Sequence, residues 1–276
     1  MKKFVTGSMT LLTVMYGGLA FAGTSIELKD PKGDDDGPGK YTYPTDAVYT
    51  TGSFDLSEVE IEQDGDTIEV TVEVKAKIED PWDSRAWDGN GFSLQMFVLH
   101  IDMDHKAGSG HKDGLPGFNV TFADDQRWEK ALIISPQGRT RVQAEVSAKA
   151  AKMKGDILIP TSVSVRGRKV VARFDKKDLG ADLSKSWGFQ LLVQSNEGFP
   201  DKTDLLTRKV NEFGGQHRFG GGNDYDCDPH VMDLLAGKAE GSSSEKAAQH
   251  KMLGSFKCNA DGSGTRAVLQ MVYPEG

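Results

Sequence analysis

The sequence predicts an all-β protein, and specifically an antiparallel β-sandwich, from three observations. Apolar and polar residues alternate over residues 67–78, TIEVTVEVKAKI, and a period of two is the pattern of a strand with one buried face. Further short apolar runs recur between loops rich in Gly, Asp and Pro. Helical periodicity is scarce. Many short strands joined by turns are typical of two sheets packed face to face.

The predicted strands follow the chain in order. The segment DLSEVEIEQDGD precedes the alternating strand and ends in the turn Asp64-Gly65-Asp66, which predicts a hairpin. Residues 91–102, GFSLQMFVLHID, are apolar on both faces, which indicates a central strand covered on both sides. Residues 161–175, TSVSVRGRKVVARFD, predict a second hairpin. Other strands are predicted in WGFQLLVQS, KMLGSFK and RAVLQMVY and, shorter, near Val120, Leu132 and Val142.

Helices are predicted only at residues 144–154 and 176–179. The segment EGSSSEK, residues 240–246, is a low-complexity insert with the composition of a mobile loop. No linker or tandem repeat divides the chain after its first residues. We therefore expect a single domain over residues 23–276.

The start of the chain has the pattern of a secretory signal peptide. Lys2 and Lys3 precede an apolar run over residues 9–21, and small residues occupy the two positions of Ala20-Phe21-Ala22 that a signal peptidase inspects. The run is too short and too rich in glycine for a stable membrane span. We expect cleavage after residue 22 and a mature protein without a membrane span, exported to the periplasm, the cell surface or the medium.

The net negative charge of the chain argues against some classes of ligand. The formal net charge is 33 − 41 = −8, and it becomes 31 − 41 = −10 when Lys2 and Lys3 leave with the signal peptide. Nucleic acids and anionic lipids need basic surfaces, so we expect neither as a partner. Calcium ions and neutral polymers suit an acidic exported chain better.

The two cysteines of the chain are Cys227 and Cys258. In the oxidising environment of an exported protein, an isolated pair is expected to form a disulfide. A redox-active pair is usually closely spaced, and the sequence has no Cys-x-x-Cys.

Two acidic loops are candidate calcium sites, because calcium takes six to eight hard oxygen ligands and such loops supply carboxylates and carbonyls. The first loop lacks the spacing of an EF-hand, and the second is not a dinucleotide-binding fingerprint. A solvated acidic turn is the alternative for the first loop, and simple anchoring by Cys227 is the alternative for the second, residues 220–228. The candidate calcium ligands are Asp34, Asp35, Asp36, Asp55, Asp224 and Asp226.

Aromatic side chains in predicted loops are candidates for contact with carbohydrate, because aromatic faces stack on the apolar faces of sugar rings. Neighbouring Asp and Asn residues are available to bind the hydroxyl groups. Packing over the end of the sandwich is the alternative role, and Trp128 and Trp187 are expected in the core. The candidate carbohydrate-binding residues are Tyr41, Tyr43, Trp82, Trp87 and Tyr225.

Three ordered segments carry a resemblance to a known family. They are DPKGDDDGPGKYTYPTDAVYTTGSFDL, DPWDSRAWDGNGFSLQMFVLHIDMD, and the pair WGFQLLVQSNEGFP and RFGGGNDYDCDPHVMDLL. In this order the chain resembles, over residues 23–276, the DOMON-like domain at the C-terminal end of bacterial glucodextranases and amylopullulanases. The resemblance implies an immunoglobulin-like or jelly-roll-like sandwich that helps to bind carbohydrate or the cell surface and is not catalytic. It also implies that the first acidic loop is ordered.

Wider relatives of this family bind either sugars or haem. Met96 and His100 share one face of a predicted strand and His105 follows it, so these three are the candidate ligands if the protein binds haem. An ion-paired or surface histidine is the other interpretation. The resemblance thus implies one alternative function, a haem-carrying periplasmic electron-transfer protein.

No catalytic residues are expected, because the sequence has no G-x-S-x-G, H-E-x-x-H or P-loop motif. We expect an exported, non-catalytic protein with structural calcium that binds polysaccharide or cell-surface glycan on residues 34–43, 82–90 and 220–228. An accessory scaffold subunit, docked on a protein partner in a surface or membrane complex, is the second alternative.

Overall fold

The computed structural model of the protein describes residues 23–237, 243–261 and 263–274. Strands β1 to β7 are Ser25–Lys29, Leu56–Asp64, Thr67–Val74, Gln95–Asp102, Val120–Phe122, Lys130–Ile134 and Ile157–Leu158. Strands β8 to β14 are Ser162–Arg166, Lys169–Asp175, Gly188–Ser195, Asp233–Leu234, Lys257–Cys258, Gly264–Thr265 and Ala267–Leu269. Helices α1 to α3 are Arg139–Lys149, Lys176–Leu179 and Glu245–Leu253. The predicted signal peptide and residues 240–242 of the predicted insert lie outside the described residues.

Two five-stranded sheets form the sandwich. The first sheet has the strand order β1-β2-β3-β9-β8 and is antiparallel. The second sheet has the order β11-β10-β4-β6-β7 and is antiparallel except for the β6–β7 pair. Strands β5 and β14 form a further parallel pair. The prediction of an all-β sandwich is confirmed, with the correction that two strand pairs run parallel.

The alternation of apolar and polar residues that predicted the first sheet also identifies its buried face. Val70, Val72 and Val74 of β3 are buried and belong to one apolar cluster with Phe97 and Leu99 of β4 in the second sheet. The opposite face of the first sheet carries polar residues and cross-strand ion pairs. This sheet therefore has one dry face, as its period of two predicts.

The second sheet is buried on both faces. All eight residues of β4 are buried, which confirms the prediction of a central strand covered on both sides. Met96 and Val98, on the face turned away from the first sheet, pack in one cluster with Val142 of α1 and Leu253 of α3. Helices and loops thus cover the outer face of this sheet.

Several secondary-structure predictions near these helices are wrong. Val142 lies in α1 instead of a strand, and α1 spans Arg139–Lys149 instead of residues 144–154. The segment KMLGSFK ends α3 and enters β12, and residues 245 and 246 of the predicted mobile insert lie in α3. Short apolar runs do not distinguish a buried strand from a buried helix. The hydroxyl of Ser244 accepts the N–H of Ala247, 3.2 Å away, and caps the N-terminus of α3.

No helix in the described part of the chain is long and apolar enough to cross a membrane.

A disulfide joins Cys227 to Cys258, as predicted. It connects the loop before β11 with β12, and the Cα atoms are 5.7 Å apart.

Replacing both cysteines by serine is expected to lower the free energy of unfolding by about 3–4 kcal/mol. The disulfide closes a loop with a sequence separation of 31 residues, and a closed loop of that length reduces the entropy of the unfolded chain by about this amount. Urea unfolding of the oxidised protein and the double variant measures the difference. A loss below about 1 kcal/mol would contradict the prediction.

His100 on β4 is fully buried, and its ring packs between Phe122 at 4.8 Å and Trp128 at 5.4 Å between ring centroids. Burial disfavours the charged imidazolium and lowers the pKa of His100 to about 3. The histidine is therefore neutral in the folded protein at neutral pH.

Replacing His100 by Leu is expected to make the stability less sensitive to acid. The pKa of an unfolded histidine is about 6.5, so between that value and the folded value the unfolded chain binds the extra proton and stability falls as pH falls. From pH 7 to pH 5 this linkage removes about 2 kcal/mol from the wild-type free energy of unfolding. Urea unfolding at both pH values tests it, and equal losses in the two proteins would refute it.

Candidate functional site

The long loops meet at one end of the sandwich. In the first sheet the loops after β1 and β3 both begin beside the start of β2. In the second sheet Gln95, at the start of β4, pairs with Ser195 at the end of β10. The side-chain amide of Gln95 donates a hydrogen bond of 2.9 Å to the carbonyl oxygen of Ser53 in the first loop. Both sets of loops therefore lie at this end, which we name the loop end.

Three buried aspartates converge at the loop end. Asp30 follows β1, Asp34 lies in the loop after it, and Asp233 is on β11 in the other sheet. Each offers a carboxylate oxygen, and these oxygens lie within 4.8 Å of one another. The exposed fractions of the three residues are 8%, 2% and 0%. We name this group the aspartate centre.

The hydrogen bonds of the aspartate centre are unequal. The Asp233 carboxylate accepts the backbone N–H of Leu56 at 2.7 Å and that of Leu234 at 2.9 Å. Both carboxylate oxygens of Asp30 and both of Asp34 are buried without a hydrogen-bond donor among the described residues. An ionised carboxylate buried in this way is unstable unless a positive charge compensates it.

The pKa values in the aspartate centre reflect this lack of compensation. Burial, and then the charge of Asp233, raises the pKa of Asp30 well above its ordinary value. Burial, and then the charge of Asp55, raises the pKa of Asp34 to about 7. The pKa of Asp233 is also raised, first by burial and then by Asp34. Burial of Glu245 raises its pKa too, and Glu245 contributes to the shift of Asp30.

Two of the other predicted calcium ligands have partners of their own. Asp55 is buried beside the centre, where it accepts the N–H of Gly33 at 3.0 Å and forms an ion pair with Lys75 at 2.8 Å. Asp36 forms an ion pair with Lys246 at 3.3 Å and a hydrogen bond with the His250 ring at 2.8 Å. Asp34 is therefore the predicted ligand that the fold brings into the aspartate centre.

In the second acidic loop, Asp226 contacts two basic side chains. Asp226 forms an ion pair with Lys209 and a hydrogen bond of 2.9 Å with the His230 ring. Burial opposes ionisation of Asp226, but the hydrogen bonds from His230 and Lys209 outweigh it and lower its pKa to about 2. The side chain of Asp224 lies beside Glu212 and raises the pKa of that residue. Asp224 and Asp226 do not join the aspartate centre.

A second group of acidic side chains lies at the opposite end of β4. It consists of Asp102, Asp104 and Glu129. The Asp102 carboxylate accepts the N–H of His105 at 2.7 Å and the hydroxyl of Tyr273 at 2.7 Å. These bonds order the loop after β4 and occupy the oxygens of Asp102.

Both predicted tyrosines of the first loop point inward. Tyr41 is buried, and its hydroxyl donates to the carbonyl oxygen of Pro229 at 2.8 Å. Tyr43 is half-buried, and its hydroxyl bonds to the Asp35 carboxylate and accepts the N–H of Phe54 at 2.9 Å. These rings order the loop end and do not present an open face to solvent.

Trp82, Trp87 and Tyr225 reach the surface to different extents. Trp82 is half-buried and packs on His217, with 6.2 Å between ring centroids. Trp87 is 36% exposed, and its indole N–H donates to the carbonyl oxygen of Trp82 at 3.3 Å. Tyr225 is 48% exposed and lies in the other loop. The structure thus brings the two tryptophans together, with His217 beside them.

The sequence analysis did not group Asp30 and Asp233 with Asp34, or His217 with the tryptophans. The signal for Asp233 was present in the segment VMDLL, where one carboxylate interrupts a buried apolar run. Asp30 had no comparable signal, because an aspartate directly after a strand is common in turns.

The predicted haem residues do not converge. Met96 and His100 are buried and lie four residues apart on β4, which separates their Cα atoms by about 13 Å. His105 lies beyond the end of β4 and stacks on Tyr273, with 4.6 Å between ring centroids. The separate positions of the three residues give no support to the haem alternative.

Residues 26–271 match the model of a protein family described as the C-terminal binding module, SLH-like, of glucodextranase. A comparison with curated proteins found no match.

Proposed function

The chain belongs to the family of C-terminal, SLH-like binding modules of glucodextranase, and from this membership we propose that it is an exported, non-catalytic protein that binds carbohydrate. The ligand class is a polysaccharide or a cell-surface glycan. The family match over residues 26–271 is the observation that carries the proposal, because it covers nearly all of the described chain and the family consists of binding modules.

The surface that suits a sugar ring best is formed by Trp82, Trp87 and His217. Aromatic rings with one accessible side stack on the apolar face of a pyranose, while polar neighbours bind its hydroxyls. Trp87 and the side chain of His217 are 36% and 46% exposed. Asp46 lies 3.9 Å from His217 and supplies carboxylate oxygens at the rim.

The loop that carries the two tryptophans is held in place from below. The carboxylate of Asp80 accepts the backbone N–H of Ser84 at 2.9 Å and the hydroxyl of Ser93 at 2.7 Å. The hydroxyl of Ser84 in turn accepts the N–H of Gly91 at 2.9 Å. A loop fixed in this way loses little conformational entropy when it binds a ligand, and this smaller loss raises the affinity for a sugar.

Export and a structural calcium ion are parts of the same proposal. The charged and then apolar pattern of residues 1–22 supports export, and so does the disulfide between Cys227 and Cys258. The buried carboxylates at the loop end support the calcium ion.

Affinity electrophoresis in gels that contain soluble α-glucans, together with pull-down on insoluble cell-wall polysaccharides, tests glycan binding. We expect retention on at least one polymer. We expect the Trp87→Ala variant to bind about tenfold more weakly, because a lost aromatic–sugar stack is worth about 1.4 kcal/mol. Isothermal titration calorimetry with the matching oligosaccharide measures this ratio.

Tyr225→Ala is the matched comparison, because it removes an exposed aromatic ring from a different loop. It is expected to bind as the wild type does. Loss of binding in Tyr225→Ala with normal binding in Trp87→Ala would move the ligand to residues 220–228, and no retention on any polymer would overturn the proposed function.

A further inference from the structure

The aspartate centre joins three segments that are far apart in sequence. Asp30 directly follows β1 of the first sheet, Asp233 lies on β11 of the second sheet, and Asp34 lies in the loop between β1 and β2. Asp233 also accepts the N–H of Leu56, at the start of β2. The centre therefore lies where the two sheets meet, and any ion held there contacts both.

Asp30 and Asp34 lack the partners that buried carboxylates normally have. Their four oxygens are buried, and among the described residues the side chain beside them is another carboxyl group, that of Glu245 next to Asp30. The nearby lysines are engaged elsewhere. Lys75 pairs with Asp55 at 2.8 Å, and Lys246 bonds to the carbonyl oxygen of Gly33 at 2.7 Å and to Asp36 at 3.3 Å. The side chains that converge on the centre carry concentrated negative charge, so their chemistry selects a cation.

The donor set identifies the cation as hard and divalent. All the converging donors are carboxylate oxygens, which calcium prefers, whereas zinc prefers nitrogen and sulfur ligands. Oxygens on opposite sides of a calcium ion are about 4.8 Å apart, because each Ca–O distance is about 2.4 Å. The oxygens of Asp30, Asp34 and Asp233 lie within 4.8 Å of one another, close enough to share one ion. Magnesium requires a tighter shell and retains more of its water.

We propose that Asp30, Asp34 and Asp233 are the protein ligands of a structural Ca²⁺ ion that fixes the junction between the two sheets. This inference rests on the calcium part of the proposed function and is independent of glycan binding. It replaces five of the six ligands that the sequence predicted and keeps Asp34.

Helix α3 closes over the centre. Gln249 is fully buried, and its side-chain amide donates to the carbonyl oxygen of Asp34. Glu245, in the first turn of α3, accepts the N–H of Gly237 at 2.7 Å and lies beside Asp30. The ion thus stabilises the first loop, the edge of the second sheet and the start of α3 together.

The test compares the purified protein and the variants Asp30→Asn and Asp34→Asn, each in EDTA and in Ca²⁺. In the wild type we expect one bound Ca²⁺ by calorimetry, and a rise in Tm of about 5 °C or more at Ca²⁺ about 100-fold above Kd. In each variant we expect the Ca²⁺ affinity to fall at least tenfold and the rise in Tm to disappear.

The sign of the change in Tm separates a metal ligand from a merely structural aspartate. The Asn side chain has the same shape, and its amide can still form a hydrogen bond with the Glu245 carboxyl group beside position 30. In EDTA each variant should melt at or above the wild type, because the neutral Asn removes the unfavourable contact between neighbouring buried carboxyl groups. In Ca²⁺ each should melt below it. Lower Tm values under both conditions would overturn the assignment.

Asp226→Asn is the control, because Asp226 was a predicted ligand but pairs with Lys209 and His230. It should bind Ca²⁺ as the wild type does. Normal Ca²⁺ binding in Asp30→Asn and Asp34→Asn would overturn this site while leaving a calcium ion elsewhere. If the metal-free wild type bound no Ca²⁺, both this site and the calcium part of the proposed function would be overturned. A Tm rise with Mg²⁺ equal to that with Ca²⁺ would refute calcium as the ion.

Discussion

The structure depends most on the way the two sheets are joined at the loop end, where the buried carboxylate of Asp233 accepts the N–H of Leu56. This bond connects β11 of one sheet with β2 of the other, but it places negative charge in the interior next to Asp30 and Asp34. Buried like charges repel strongly because water cannot screen them. Burial and this repulsion together raise the pKa of all three carboxyl groups above the ordinary value.

The layer that covers the second sheet is part of the same junction. The outer face of this sheet is apolar and packs against α1 and α3, which keeps water from both sides of β4. Helix α3 also reaches the aspartate centre, because Gln249 bonds to the backbone of Asp34 and its side-chain oxygen accepts the N–H of Leu234 at 3.2 Å. Gln249 thus connects the covering layer to both the first loop and the edge of the second sheet.

At the loop end, the exposure of each aromatic residue depends on where its polar atom finds a hydrogen-bond partner. Tyr41 and Tyr43 are directed inward because their hydroxyls meet buried acceptors, and their rings then order the loop. Trp87 has one polar atom, which bonds to the neighbouring Trp82 carbonyl at the surface, and so part of its ring stays exposed. Aromatic residues therefore serve both as buried supports of the loop end and as part of its exposed surface.

The sequence by itself determined the fold class, the hairpins β2–β3 and β8–β9, the fully buried β4 and the disulfide. These follow from the alternation of neighbouring residues and from the number of cysteines in the chain. Only the tertiary structure decided that α3 replaces a predicted strand and that Asp30 and Asp233 meet Asp34. Alternation is a local property, which each segment carries in its own residues. Convergence of side chains from distant segments depends on how the sheets pack, and the sequence of a short segment does not determine that packing.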